Sequence, residues 1–165
     1  ATAKNYEQIL SGKADWDKKS QAEKDAINAA LMANGGKSYE ELLKLSGEIK
    51  ENSEGFIKKY LTGQDGQIYK EATRQNYQQI LSGKEAWDKM SQVEKDAINA
   101  VLVANGGKTY EELLKTAQEI EKQIAAENAK KIAKTGDTAM AGLYLLLAAA
   151  SLAGIAMTAK KKRYI

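Results

Sequence analysis

The stretch Asn5–Ile49 returns as Asn76–Ile120 with roughly three quarters of its positions unchanged, and a fixed period of this kind means an array of like modules. This constrains the fold more than any other feature. A unit of about 45–50 residues buries little surface alone, so it must be well idealised or lean on a neighbour. Ala1-Thr2 matches Ala72-Thr73, so the chain opens inside a repeat, and further copies or a leader are expected ahead of it.

Each copy reads as three helices. Tyr6, Ile9 and Leu10 (Tyr77, Ile80 and Leu81 in the second copy) share one face of the first helix, and Ser11-Gly12 closes it. The second helix opens at Ser20-Gln21-Ala22-Glu23 (Ser91-Gln92-Val93-Glu94), the pattern of a reciprocal serine–glutamate cap. Its apolar face is Ala26, Ile27, Ala30 and Leu31 (Ala97, Ile98, Val101 and Leu102), and Asn34-Gly35-Gly36 stops it, Gly accepting the left-handed conformation at little cost. A second cap at Ser38-Tyr39-Glu40-Glu41 (Thr109-Tyr110-Glu111-Glu112) opens the third helix, which buries Leu42, Leu43 and Ile49 (Leu113, Leu114 and Ile120). Trp16 and Trp87 fall between the first and second helices, where each is expected to cover the open end of a small core; the alternative is an exposed aromatic anchor.

Between the copies, Phe56, Ile57, Tyr60 and Leu61 keep helical spacing, Thr62–Gly66 reads as a turn, and the first helix of the second copy is expected to begin near Gln67. The expected architecture is all-α: a repeat over 1–53, an inter-repeat helix and turn over 54–66, a second repeat over 67–122 and a helical stalk over 123–131. A motif at 132–137, a transmembrane helix over 138–159 and a basic cytoplasmic tail over 160–165 complete it.

Composition removes several kinds of chemistry. Cys and His are both absent, so there is no disulfide framework, thiolate nucleophile, Ser–His or Cys–His catalysis, or Cys- or His-based metal site. No cofactor or metal is expected. Carboxylates remain at Glu40-Glu41, Asp15 and Asp17. The Glu pair lies in a first helical turn, where acids favour the helix dipole, and Asp15 is Ala86 in the second copy, so no enzyme is expected. The net charge of +3 comes from the end of the chain; the repeats are close to balance, which excludes the basic face that nucleic-acid binding needs.

That end is an unbroken uncharged run from Thr138 to Ala159, roughly 22 residues or about 33 Å of helix, against a bilayer core of about 30 Å. Met140, Leu143, Leu145, Leu146, Leu147, Leu152, Ile155 and Met157 favour insertion. Lys160, Lys161, Lys162 and Arg163 then stop transfer on the cytoplasmic side and place the repeats, with the N-terminus, outside the cell.

The residues ahead of the run, Ile132-Ala133-Lys134-Thr135-Gly136-Asp137, followed by the span and the basic tail, resemble the sorting signal of cell-wall-anchored surface proteins of Gram-positive bacteria, usually Leu-Pro-x-Thr-Gly. Ile132 stands where Leu is usual and Ala133 where Pro is. The resemblance implies that a sortase would cut Thr135–Gly136 and join Thr135 to a peptidoglycan precursor. The helix phasing of each copy is similar to immunoglobulin-binding repeats of the protein A type, which implies a three-helix bundle and a host protein, immunoglobulin or another serum or mucosal protein, as partner.

If the repeats bind a protein, the first two helices carry the candidate face: Gln8, Lys24, Asp25 and Asn28, with Gln79, Lys95, Asp96 and Asn99, lie off the apolar stripes and are the same in both copies. Asn in mid-helix costs stability relative to Ala, so its reuse suggests a binding role; the alternative is that recent duplication keeps solvated residues identical without selection. A tandem pair would then gain avidity. The expected function is therefore a wall-anchored surface protein that binds a host or neighbouring protein. The alternatives are a non-binding stalk or spacer, or a protein that keeps its membrane span.

Overall fold

The computed structural model describes residues 1–134, and the side chains of residues 1–131. Thr135, Gly136, the uncharged run and the basic tail lie outside the described residues, as do the side chains of Ile132, Ala133 and Lys134. Among the described residues no helix is long and apolar enough to cross a membrane.

The described chain is all-α. Its helices are α1 (Tyr6–Ser11), α2 (Lys13–Asp17), α3 (Gln21–Ala33), α4 (Tyr39–Tyr60), α5 (Tyr77–Ser82), α6 (Lys84–Lys89), α7 (Gln92–Ala104) and α8 (Tyr110–Lys134). Each copy thus holds four helices rather than three, because the Trp-bearing segment after the first helix is itself a short helix. With five residues, α2 is too short to persist alone and is held by the ring it buries: Trp16 is 6% exposed and Trp87, on α6, 5%. Both indoles are core groups, not exposed anchors.

The boundaries of the longer helices follow the caps. Ser20 and Ser91 each accept from the backbone N–H three residues on, while Glu23 and Glu94 accept from the serine backbone N–H, at 2.8 and 2.7 Å. Ser38 and Glu41 do the same at the start of α4. At the other end of α3, Gly35 takes φ +72°, its N–H reaches Met32 O at 2.9 Å, and Gly36 N–H reaches Leu31 O at 3.0 Å; Gly106 and Gly107 repeat this after α7. These paired bonds satisfy the last carbonyls of the helix, which only a left-handed residue permits.

Two boundaries expected from the sequence move. The first helix of the second copy begins at Tyr77, not near Gln67. The intervening backbone is used otherwise: Thr62 and Ile68 pair across a turn, Tyr69 N–H donates to Leu61 O at 2.8 Å, and Thr73 N–H donates to the Asn76 side chain at 2.7 Å. Such a hairpin and side-chain turn leave no helical ladder. The third helix of the first copy, in turn, does not stop at the repeat boundary but is continuous with the inter-repeat helix expected from residue 54. α4 runs on through Phe56 and Ile57 to Tyr60 and carries those side chains into the second copy.

The main core therefore straddles the boundary between the copies. Phe56, Ile57 and Leu61 join Ile80, Trp87, Ile98, Leu102, Tyr110, Leu113 and Ala117 of the second copy. The Phe56 ring lies 5.0 Å from that of Tyr110, edge-on, and 5.5 Å from that of Trp87. A smaller cluster of Tyr6, Ile49 and Ala97 ties α1, α4 and α7 together. The middle of α4 is lined by Ser46 and Ser53, both buried, whose hydroxyls find no partner among the described residues.

Candidate functional site

The residues repeated off the apolar stripes are brought to helix junctions. Asn99 Oδ1 accepts from Tyr110 N–H at 2.9 Å and its Nδ2 donates to Glu111 Oε2 at 3.0 Å; Asn28 makes the same pair with Tyr39 and Glu40. Tyr39 and Tyr110 are the first residues of α4 and α8, so each Asn caps the next helix from the middle of the previous one. That explains an Asn in mid-helix by chemistry within the unit.

Lys24 and Lys95 sit 5.7 and 5.6 Å over the Trp16 and Trp87 rings, a cation–π contact that closes each indole pocket. Asp25 and Asp96 are exposed and accept from Gln21 and Gln92 one turn earlier, at 2.8 and 2.7 Å. The glutamines diverge. Gln79 Nε2 donates to Lys59 O and Thr62 O at 3.0 and 3.1 Å, and its Oε1 accepts from Tyr69 Oη at 2.7 Å, so it terminates α4. Gln8, its counterpart, is exposed and has no such helix end beside it among the described residues.

The carboxylates considered for chemistry are likewise placed in helix starts. Glu41 accepts from Ser38 N–H and Glu40 from Asn28. Asp15 and Asp17 are exposed and pair with Lys18 and Lys13. Hydrogen bonds from serine or threonine caps hold the Glu23 and Glu112 carboxyls below the ordinary value. For Glu94, burial acts to raise the value, but the bonds from Ser91 and Asn52 outweigh it and the net shift is downward. Burial pushes the phenols of Tyr39 and Tyr110 upward, so each is a fixed donor: their Oη atoms bond Ile9 O and Ile80 O at 2.8 Å. Among the described residues no group of acidic side chains is arranged to hold a metal ion.

Glycine lets these tyrosines reach. A methyl placed on Gly83 would stand 2.9 Å from Tyr110 Oη and 3.0 Å from Tyr60 Cγ, so any larger residue there would block both rings. Away from this contact, a partly open hollow of about 170 Å³ lies between α4 and the start of α7, lined by Leu45, Ile49 and Val93 with Glu48 and Glu94 at its edge.

Two features escaped the sequence reading. One is the tertiary cap made by Asn28 and Asn99, visible only as an unexplained mid-helix Asn. The other is the insertion of α4 into the second copy, whose signal was present: the apolar spacing of Phe56, Ile57, Tyr60 and Leu61 continues that of Ile49 without a stop. Comparison with known protein families, with curated proteins and with solved structures returns no match.

Proposed function

We propose that the chain is a surface protein of a Gram-positive bacterium, anchored to the cell wall through Thr135, whose helical repeats contact a host or neighbouring protein outside the membrane. The observation that carries the anchoring is one of order: Thr135-Gly136, then an uncharged run long enough to span a bilayer, then Lys160–Arg163. The contact reading draws support from rigid, well-capped helices that present the same surface carboxylates, Asp25 and Asp96, twice. A polar α8 that runs from the second core to Lys134 suits a stalk leading to the processing point.

One observation favours a second reading, that of a stiff spacer. The Asn, Lys and Gln residues written twice serve helix caps and indole pockets, and α4 joins the two units as continuous helix rather than as a flexible linker. Mass spectrometry of the wall fraction tests the anchoring: the expected C-terminus is Thr135 joined to a wall peptide, and a chain ending at Ile165 would overturn it. A column of the wall-released form, challenged with serum and mucosal proteins, separates the other two readings. Saturable retention of one protein, lost on Asp25→Lys with Asp96→Lys, supports contact; an empty column leaves the spacer.

A further inference from the structure

The two copies are nearly the same sequence, yet they are not equally filled. In the second copy α7 buries Ala97, Ile98 and Leu102, the last two completely. In the first, α3 has no buried residue over its entire length. Ala26 is exposed, and Ile27 and Leu31 are only partly covered. The difference does not come from the side chains, since Ala26, Ile27 and Leu31 are the same residues as Ala97, Ile98 and Leu102. It comes from what lies against them. Ile98 and Leu102 are covered by the second half of α4, and Ala97 by Ile49 and Tyr6; among the described residues nothing takes these positions against α3.

The polar fittings of the filled site have vacant counterparts too. Gln79 terminates the docked helix, whereas Gln8 makes no such contacts among the described residues. Glu94 accepts from Asn52 of the docked helix at 2.5 Å, whereas Glu23 has only its own cap. Lys108 N–H bonds Lys70 O, on the extended stretch that follows the docked helix, at 3.1 Å. Lys37, the matching residue, has no such stretch beside it among the described residues. The slot beside Gly83 that Tyr60 occupies is matched at Gly12, where the nearest groups are Tyr39 and the backbone of Ile9.

We propose that the outer face of α3 is an acceptor for the docking helix of a further repeat unit, a segment with the chemistry of residues 50–72, inserted against α3 as α4 is inserted against α7. The filled site specifies the occupant: an amphipathic helix with Phe, Ile, Tyr and Leu at the spacing of Phe56, Ile57, Tyr60 and Leu61, followed by a short hairpin. A second copy of this chain is poorly placed to supply it. Its α4 face is already engaged with its own α7, and α8 carries Glu127, Asn128 and Lys131 where α4 carries Phe56, Ile57 and Tyr60. Among the described residues there are therefore one docking helix and two acceptors, and α8 is the closing element of the series. Arg74 pairs with Glu127, one of the residues that make α8 unfit to dock. Repeats of this kind lengthen by interlocking, each unit completing the core of the next. None of this depends on how the chain is anchored.

The test is to place a duplicate of residues 46–71 directly ahead of Ala1 in the full chain, which restores the Glu71–Ala72 junction as Glu71–Ala1, and to follow amide exchange of the peptide 21–33, whose sequence differs from 92–104. Exchange of α3 is expected to slow by about tenfold or more, towards the protection of α7. A duplicate carrying Phe56→Ser, Ile57→Ser and Tyr60→Ser is expected to leave it unchanged. No slowing with the intact duplicate, or equal slowing with the serine variant, overturns the proposal. So does faster α3 exchange when residues 135–165 are removed from the unextended chain, which would make the tail the occupant. Slowing that grows with the concentration of the unextended chain would make the occupant a second copy, and this too overturns the proposal.

Discussion

Ser46 and Ala117 hold equivalent places in the two copies, and both are fully buried. The serine brings a hydroxyl into the packing between helices with nothing among the described residues to accept from or donate to it. Burying an unpaired hydroxyl costs about 1–3 kcal/mol, and Ala is the better helix former. Ser46→Ala is accordingly expected to raise stability by about 1 kcal/mol, read as a higher urea midpoint at unchanged slope. Asn99 is the opposite case, a polar residue with both ends satisfied. Asn99→Ala removes the acceptor for Tyr110 N–H and the donor to Glu111, and is expected to cost about 1–2 kcal/mol. Thermal unfolding monitored by circular dichroism checks it, and a loss below about 0.3 kcal/mol would remove the capping explanation for the repeated Asn.

At the scale of the element, α4 is the unusual piece. Its first half closes the first copy and its second half supplies the only Phe of the chain to the second. Phe56 is 3% exposed and touches rings from α6 and α8. Phe56→Ala is expected to cost about 3–5 kcal/mol, as for other buried aromatic truncations. The loss should fall on the second copy: amide protection is expected to drop in α5 and α7 more than in α1, although the residue lies between the repeated stretches. Equal loss in α1 would mean that the two units unfold as one. The short helices α1, α2, α5 and α6 follow the same logic, since helices of five or six residues exist only by what they bury.

For the whole molecule, charge acts at helix starts more than across the surface. Glu23, Glu94 and Glu112 have carboxyls held below the ordinary value by their caps. A carboxyl whose folded value is depressed binds protons more readily when the chain unfolds, so it adds stability that is complete above the unfolded value. That contribution falls away as the pH drops through 4.5, the ordinary value, towards the lower folded one. Stability is thus expected to be flat near neutrality and to decline through this acid window. Replacing Glu23, Glu94 and Glu112 by Gln together should flatten the decline, measured as urea midpoints between about pH 7 and 3. An unchanged acid profile would mean that the caps do not set it. The surface ion pairs Lys13–Asp17 and Lys84–Asp88 lie within single helices and are expected to add little.

By itself the sequence determined the all-α class, the helix starts at Ser20, Ser38, Ser91 and Thr109, and the glycine stops at Gly35 and Gly106. These depend on hydrogen bonds made within three to five residues, and such local chemistry is written in adjacent letters. It also determined the apolar stripes, including that of α3. Only the tertiary structure decided which stripe is covered. Ile27 and Ile98 sit in the same local sequence, yet one is half-open and the other fully buried, because burial depends on whether a helix distant along the chain comes to lie against it. The same reason hid the work of Asn28, Asn99 and Gln79, whose partners lie ten to twenty residues away along the chain, and it let α4 cross a boundary that the repeat pattern alone had placed near residue 53.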